Sequence, residues 1–205
     1  MPTRLNREIK AFCKDFRPVR DTLKEIGATR LGEKEQVDYF LRLPSAPEGE
    51  SRRLKLRIDD GAPRLIYYYD RYGPGSRTVE FSIAEVTDPG IRELLEAALG
   101  VKRVVRKRRE VWKEDNATFN LDTVEGIGNV FETEVEVRMD DDAEGQIARY
   151  RRLFGPHLGE DITGSNEDLL AAQSGAASPS ASPRPARSAR RAPPPPPRRP
   201  RRARR

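Results

Sequence analysis

The stretch Asn120–Arg138, NLDTVEGIGNVFETEVEVR, constrains the fold more than any other, because acids recur at alternate positions along what reads as the second strand of a β-hairpin. Successive strand side chains point to opposite faces. Glu132, Glu134 and Glu136 therefore share one side, and Phe131, Thr133, Val135 and Val137 share the other. The second side asks for an apolar core. The first crowds three carboxylates, a repulsion relieved by neighbouring cations or a metal. Positive partners lie upstream. In RRLKLR, Arg53, Lys55 and Arg57 alternate with Leu54 and Leu56, and in NREIK, Asn6, Glu8 and Lys10 fall on one side. Several strands thus repeat one design, a charged face backed by an apolar one.

The last 32 residues, Ser174–Arg205, contain only Ser, Gly, Ala, Pro and Arg, with ten Arg and no acid. They cannot build a core, so the composition predicts a folded domain over residues 1–173 and a disordered basic tail over 174–205. Without the ten arginines the formal net charge of +6 becomes −4, so the high pI belongs to the tail. That argues against a basic nucleic-acid-binding domain. Nine prolines, including Pro193–Pro197, give the tail polyproline character. Its two readings are salt-dependent, nonspecific contact with a polyanion and a dispensable extension. A single Cys13 excludes an internal disulfide, and with no leading apolar segment the expected setting is cytoplasmic. No run approaches the roughly 20 apolar residues of a membrane span. Nothing here sets the oligomeric state; a homodimer is compatible with it.

In chain order, Thr3–Phe12 reads as strand and Arg17–Ile26 as helix, with Pro18 in its first turn and Gly27 at its end. Strands are expected at Gln36–Leu43, Arg52–Ile58, Arg64–Arg71 and Thr78–Ile83, with a turn at Asp59-Asp60-Gly61 and a loop at Tyr72–Ser76. Asp88–Leu99 is the clearest helix: Asp88 caps it, Gly100 ends it, and Ile91, Leu94, Leu95, Ala98 and Leu99 form one stripe. Val101–Trp112 reads as strand, but its alternation leaves open which face turns inward. Thr118–Val124 pairs back on it, and Gly126-Ile127-Gly128 turns into the acidic strand. Helices near Ala143–Phe154 and Glu167–Ala172 follow.

The result is an α+β fold of about eight strands, mostly antiparallel hairpins, a number that can close into a β-barrel with helices packed outside. Charge on a single strand usually faces bulk water. Basic and acidic faces on different strands, with amphipathic helices available as an outer cover, favour instead a charged tunnel. Such a tunnel suits a polyanion with a bound divalent cation, since basic groups hold phosphate oxygens and carboxylates hold hard cations.

In order and spacing, NREIK, Gln36 with Asp38-Tyr39-Phe40, RLKLR, the Tyr-rich strand ending in Arg71, VRKRR at Val105–Arg109, LDTVEGIG at Leu121–Gly128 and FETEVEV from Phe131 resemble the CYTH domain, or triphosphate tunnel metalloenzyme, family. The match covers roughly residues 3–173, and the QxDxxF and LDxVxGxG pieces resemble its class IV adenylate cyclase branch. The resemblance implies an enzyme acting on a triphosphate-containing small molecule with Mg²⁺ or Mn²⁺. The reaction is adenylate cyclase-like or triphosphatase; a non-catalytic nucleotide- or polyphosphate-binding module is the remaining alternative. It implies that Glu8, Glu132 and Glu134 hold metal, with Asp122 positioning a cation or a basic side chain. Lys10, Arg53, Lys55, Arg57, Lys107 and Arg109 grip the triphosphate, Arg71 and Glu136 are further members, and Glu8 and Lys10 are the catalytic candidates. It also turns Lys107 and Arg109 inward. The family's ExExK signature has Asn6 in place of its first Glu, which bears on the number of metals.

Other signals weigh less. Gly126 and Gly128 lie between strands, whereas phosphate-binding glycine loops open a helix. His157 has no His or Cys near it in sequence, and Cys13 has no evident His partner. Trp112, Tyr67 and Tyr69 are read as packing residues before base-stacking ones.

Overall fold

A computed structural model describes residues 3–48, 50–71, 78–139 and 141–176. Eight strands, β1 (Arg4–Phe12), β2 (Thr29–Leu41), β3 (Glu50–Asp59), β4 (Ala62–Arg71), β5 (Thr78–Glu85), β6 (Val101–Glu114), β7 (Ala117–Val124) and β8 (Gly128–Glu136), close into one antiparallel barrel in the order β1-β5-β4-β3-β2-β6-β7-β8. The helices are α1 (Phe16–Glu25), α2 (Ile91–Leu99), α3 (Ala143–Phe154) and α4 (Asn166–Ala176). None among the described residues is long and apolar enough to cross a membrane. The expected loop at Tyr72–Ser76 and the tail from residue 177 lie outside the described residues.

The alternation is resolved as the tunnel required. Phe131, Thr133 and Val135 of β8 point outward and are fully buried, together with Ile9, Phe119 and Leu121 of the adjoining strands, beneath Val19 and Leu23 of α1 and Tyr150 and Phe154 of α3. The apolar core thus sits between the barrel's outer wall and two helices. Burying such side chains stabilises by about 1.5–3 kcal/mol each, and the aromatic contacts are tight, with the Phe119 and Tyr150 centroids 4.9 Å apart edge to face. A second cluster, Phe40, Val105, Val124, Val130 and Ile162, lies toward one end of the barrel, and Leu169 and Leu170 of α4 pack against it. Going down β1 from Asn6 to Phe12 leads toward that end, because residues 160–162 cross there, with Ile162 N donating to Lys10 O.

Four expectations are corrected. β2 begins at Thr29 and not at Gln36. Its first seven residues are polar or exposed, so no hydrophobic period marks them, and the ladder to Lys113–Arg108 of β6 holds them as strand, with a bulge at Arg30/Gly32. Helix α2 starts at Ile91; Asp88 lies before it and accepts a bond from Gly90 N, so Gly90 occupies the cap. Among the described residues the apolar stripe of α2 is only partly covered: Ile91, Leu95 and Leu99 are half-buried and the helix touches β2, but none of its residues is fully buried and Leu94 is 64% exposed. The reason is placement. The helix joins β5 to β6 at the barrel rim, with Gly100 (φ 72°) turning straight into Val101, so the covering is left to α1 and α3. The last helix is also longer than expected, running to Ala176.

Turns follow their residues. Asp60 (φ 46°) and Gly61 (φ 92°) close β3–β4, while Gly126 (φ 75°) and Gly128 (φ 100°) close β7–β8, a strand-to-strand turn as read.

Candidate active site

The barrel interior collects the inward side chains of seven strands. Glu8 and Lys10 come from β1, Asp38 and Phe40 from β2, and Arg53, Lys55 and Arg57 from β3. Tyr68 comes from β4, Val79 from β5, Lys107 and Arg109 from β6, and Glu132 and Glu134 from β8. Ser165 and Asn166, at the start of α4, complete the lining. Register accounts for the assembly. Lys10 lies opposite Glu132 and Glu8 opposite Glu134 across β1–β8; Asp38 lies opposite Arg57 across β2–β3; Arg109 lies opposite Asp122 across β6–β7.

Two buried carboxylates organise the cations. Asp38 accepts from Lys55 Nζ at 3.2 Å and from Arg57 Nε and Nη2 at 2.7 and 2.8 Å. Asp122, with no exposed surface, accepts from Lys107 Nζ at 2.8 Å and from Arg109 Nε and Nη2 at 2.7 and 2.6 Å. Bidentate pairing of this kind fixes the guanidinium planes. Burial alone would raise Asp38, but Lys55 and Arg57 outweigh it and hold the carboxyl well below its usual range. The lysines move the other way. Burial, then the Arg57 guanidinium, pushes Lys55 down to about 8, and burial, then Arg109, pushes Lys107 down to about 7.

Glu8, Glu132 and Glu134 form the acidic group, each offering an oxygen within 4.8 Å of the others. Lys10 lies 3.7 Å from Glu132, and Arg109 Nη2 donates to Glu132 at 2.9 Å. Glu134 is held by two side-chain amides, Asn6 Nδ2 at 3.3 Å and Asn120 Nδ2 at 3.1 Å. Asn6 therefore replaces a carboxylate with a donor aimed at Glu134. Burial and the Glu132 charge still push the Glu134 carboxyl up. Three converging hard oxygen donors under mutual repulsion are the chemistry a divalent cation relieves, so the residues present fit Mg²⁺ or Mn²⁺.

The structure brings Glu8, Lys10, Arg53, Lys55, Arg57, Lys107, Arg109, Glu132 and Glu134 to one tunnel. Asp122 stands behind Lys107 and Arg109, bonded to both, and is not one of the three carboxylates that converge at Glu8, Glu132 and Glu134. Arg71 closes β4 opposite Glu50, and its side chain lies outside the described residues. Glu136 bonds Arg138 at 3.4 Å and does not line the tunnel. Away from the site, His157 Nε2 is 3.4 Å from Thr22 Oγ1 and Cys13 is buried near Asp15.

Sequence reading missed Asp38, Asn120, Tyr68, Ser165 and Asn166 as site residues. The alternation of Gln36, Asp38 and Phe40 in QVDYF was the available signal for Asp38. Nothing local marks Ser165 or Asn166, which reach the tunnel only because α4 folds over its end.

A profile of the CYTH domain matches residues 4–155. A curated protein of Methanocaldococcus jannaschii, provisionally named an adenylate cyclase, is 29% identical over 133 residues, 63% of this chain and 76% of its own length. A structure of the Pyrococcus horikoshii protein PH1012 superposes with a TM-score of 0.67 at 28% identity, covering 80% of this chain and 98% of that one. A Hippeastrum protein, described as a candidate adenylyl cyclase with a dominant triphosphatase activity, superposes with a TM-score of 0.59, covering 83% and 96%. At 17% identity that likeness concerns the fold alone.

Proposed function

The chain belongs to the CYTH domain family, and on that premise we propose that it is a metal-dependent enzyme acting on the triphosphate group of ATP, forming cyclic AMP and pyrophosphate as class IV adenylate cyclases do. The observation that carries the triphosphate reading is the meeting of Lys10, Lys55, Arg57, Lys107 and Arg109 with Glu8, Glu132 and Glu134 in one tunnel. The cyclase reading rests on the QVDYF and LDTVEGIG segments and on the name of the 29% identical relative.

Charge balance explains the need for metal. Lys10, Arg53, Lys55, Arg57, Lys107 and Arg109 are six cations, and Glu8, Asp38, Asp122, Glu132 and Glu134 are five anions, so the wall is close to neutral. A triphosphate bearing about four negative charges finds little net attraction there. Glu8, Glu132 and Glu134 would hold a divalent cation, which would supply the missing charge and polarise a phosphoryl group.

The protein's own groups do the rest. Asp38 and Asp122 hold the guanidinium and ammonium groups in place before substrate arrives, so they stabilise charge developing on phosphoryl oxygens without reorganising. Attack of the ribose 3′-oxygen on the α-phosphorus forms the cyclic ester as the α–β bridging bond breaks and pyrophosphate leaves. The hydroxyl proton passes to a carboxylate of the acidic group, for which Glu8 is the candidate, with Lys10 beside the reacting phosphoryl group. Water in place of the 3′-hydroxyl, attacking a terminal phosphorus, makes the same grip a triphosphatase.

Turnover of the full chain with ATP and with inorganic triphosphate, each with Mg²⁺ or Mn²⁺, tests the reading. Cyclic AMP with pyrophosphate is expected, falling at least about a hundredfold on chelation with EDTA. Orthophosphate as sole product would reassign the enzyme to the triphosphatases. Binding without product would leave a nucleotide- or polyphosphate-binding module.

The depressed lysines make a second prediction. Phosphate beside Lys55 and Lys107 favours their charged forms and raises both from about 8 and about 7, so binding takes up protons. At pH 8, calorimetry of inorganic triphosphate in buffers of different ionisation heat is expected to register uptake of about one proton per ligand. Affinity should fall as pH rises from 7 to 9. Proton release on binding would contradict this reading of the lysines.

A further inference from the structure

We propose that Tyr68 is a substrate-binding residue whose hydroxyl donates to a phosphoryl oxygen of the bound triphosphate, while its ring positions the cations beside it. The proposal rests on the tunnel being the triphosphate site and adds to it an uncharged contact that neither the charge pattern nor the motifs single out.

Tyr68 projects from β4 into the tunnel between cations of the neighbouring β3. The Arg53 guanidinium lies 4.8 Å from its ring centroid and Lys55 Nζ lies 5.0 Å from it, so both cations rest on one aromatic face system. Phe81 supports the ring from β5, with centroids 5.9 Å apart. Those contacts need only an aromatic ring, and phenylalanine would supply them. The hydroxyl is what they leave over. Among the described residues it makes no hydrogen bond, although the tunnel around it carries Arg57, Asp38, Glu134 and Arg53. The residue is half-buried in the tunnel wall, so this hydroxyl stands where a bound anion can reach it.

The tunnel's other donors are committed. Lys55 and Arg57 already bond Asp38, and Lys107 and Arg109 already bond Asp122. Incoming phosphoryl oxygens must share those donors with carboxylates, whereas the Tyr68 hydroxyl is open to them. Burial keeps the phenol up from its ordinary value, so it stays protonated and serves as a donor, not as a base. A hydrogen bond from a neutral hydroxyl to an anionic oxygen contributes roughly tenfold in affinity.

The discriminating variant is Tyr68→Phe, which keeps the ring under Arg53 and Lys55 and removes the hydroxyl alone. Titration of inorganic triphosphate with Mg²⁺ into the full-length protein is expected to give about tenfold weaker binding for Tyr68→Phe, with the salt dependence unchanged because the number of cations is unchanged. Tyr68→Leu, which also removes the platform, should bind more weakly still and should lose thermal stability, which Tyr68→Phe should not. Binding by Tyr68→Phe within twofold of the unsubstituted protein would overturn the proposal. Failure of the unsubstituted protein to bind triphosphate would overturn the site itself, a separate result.

Discussion

Glu134→Gln is expected to reduce metal-dependent turnover by at least about a hundredfold, the largest effect on activity of any single isosteric change in the tunnel. The substitution keeps shape and one acceptor but removes the charge of one of the three carboxylates that converge within 4.8 Å. It also disturbs the pair of amides that now hold this group. Asn6 and Asn120 both donate to it, and a glutamine places an amide nitrogen against one of them. The side chain is 27% exposed and its carboxyl is pushed up by burial and by Glu132, so its charged form carries a penalty that a cation would relieve. Turnover at several Mg²⁺ concentrations and Mg²⁺ affinity by calorimetry measure the effect. Activity within tenfold of the unsubstituted enzyme, at unchanged metal affinity, would remove Glu134 from the metal-holding set.

Asp122→Asn is expected to cost the most stability, about 3 kcal/mol. Asp122 is fully buried and bonds both Lys107 and Arg109, so neutralising it leaves two interior cations, of which Arg109 keeps Glu132 at 2.9 Å and Glu134 at 4.0 Å. The two respond differently. Lys107, already down to about 7, can give up its proton and limit its share of the loss, whereas Arg109 cannot discharge and must rely on the carboxylates of β8. Urea unfolding of the full chain measures the difference, and a loss under about 1 kcal/mol would mean that Glu132 and Glu134 suffice for Arg109. The sign with pH follows from the depressed carboxyl. Asp122 titrates below its ordinary value in the folded protein, so its contribution is present above the unfolded value and is lost as the pH falls through the folded one. The stability gap between Asp122→Asn and the parent should therefore narrow in acid.

Much of the architecture was legible before any coordinates, for one physical reason. A strand whose two faces meet different media must alternate, and the alternation in β1, β3 and β8 separates Glu8, Lys10, Arg53, Lys55, Arg57, Glu132 and Glu134 from the apolar residues between them. Caps and turns were legible for a similarly local reason, as at Gly27, Gly61 and Gly126, where the backbone takes positive φ. Where the local environment is uniform, the pattern is silent. The first half of β2 has no buried face, its residues being exposed or half-buried, and only pairing with β6 makes it strand. The stripe on α2 shows the converse, an amphipathic pattern that contact with β2 leaves only half-buried.

What the amino-acid sequence determined by itself was the polarity of each strand face, the separation of a tail of uniform composition, and through the order of its motifs a resemblance to one family. What only the tertiary structure decided was the pairing: that Asp38 anchors Lys55 and Arg57, that Asp122 anchors Lys107 and Arg109, that Asn6 serves Glu134, and that Tyr68 and the start of α4 reach the same tunnel. Periodicity records which medium a side chain meets, and that is a property of its own strand. Which charge meets which depends on the register between strands and on the closing of the barrel, and these are set by the chain as a whole.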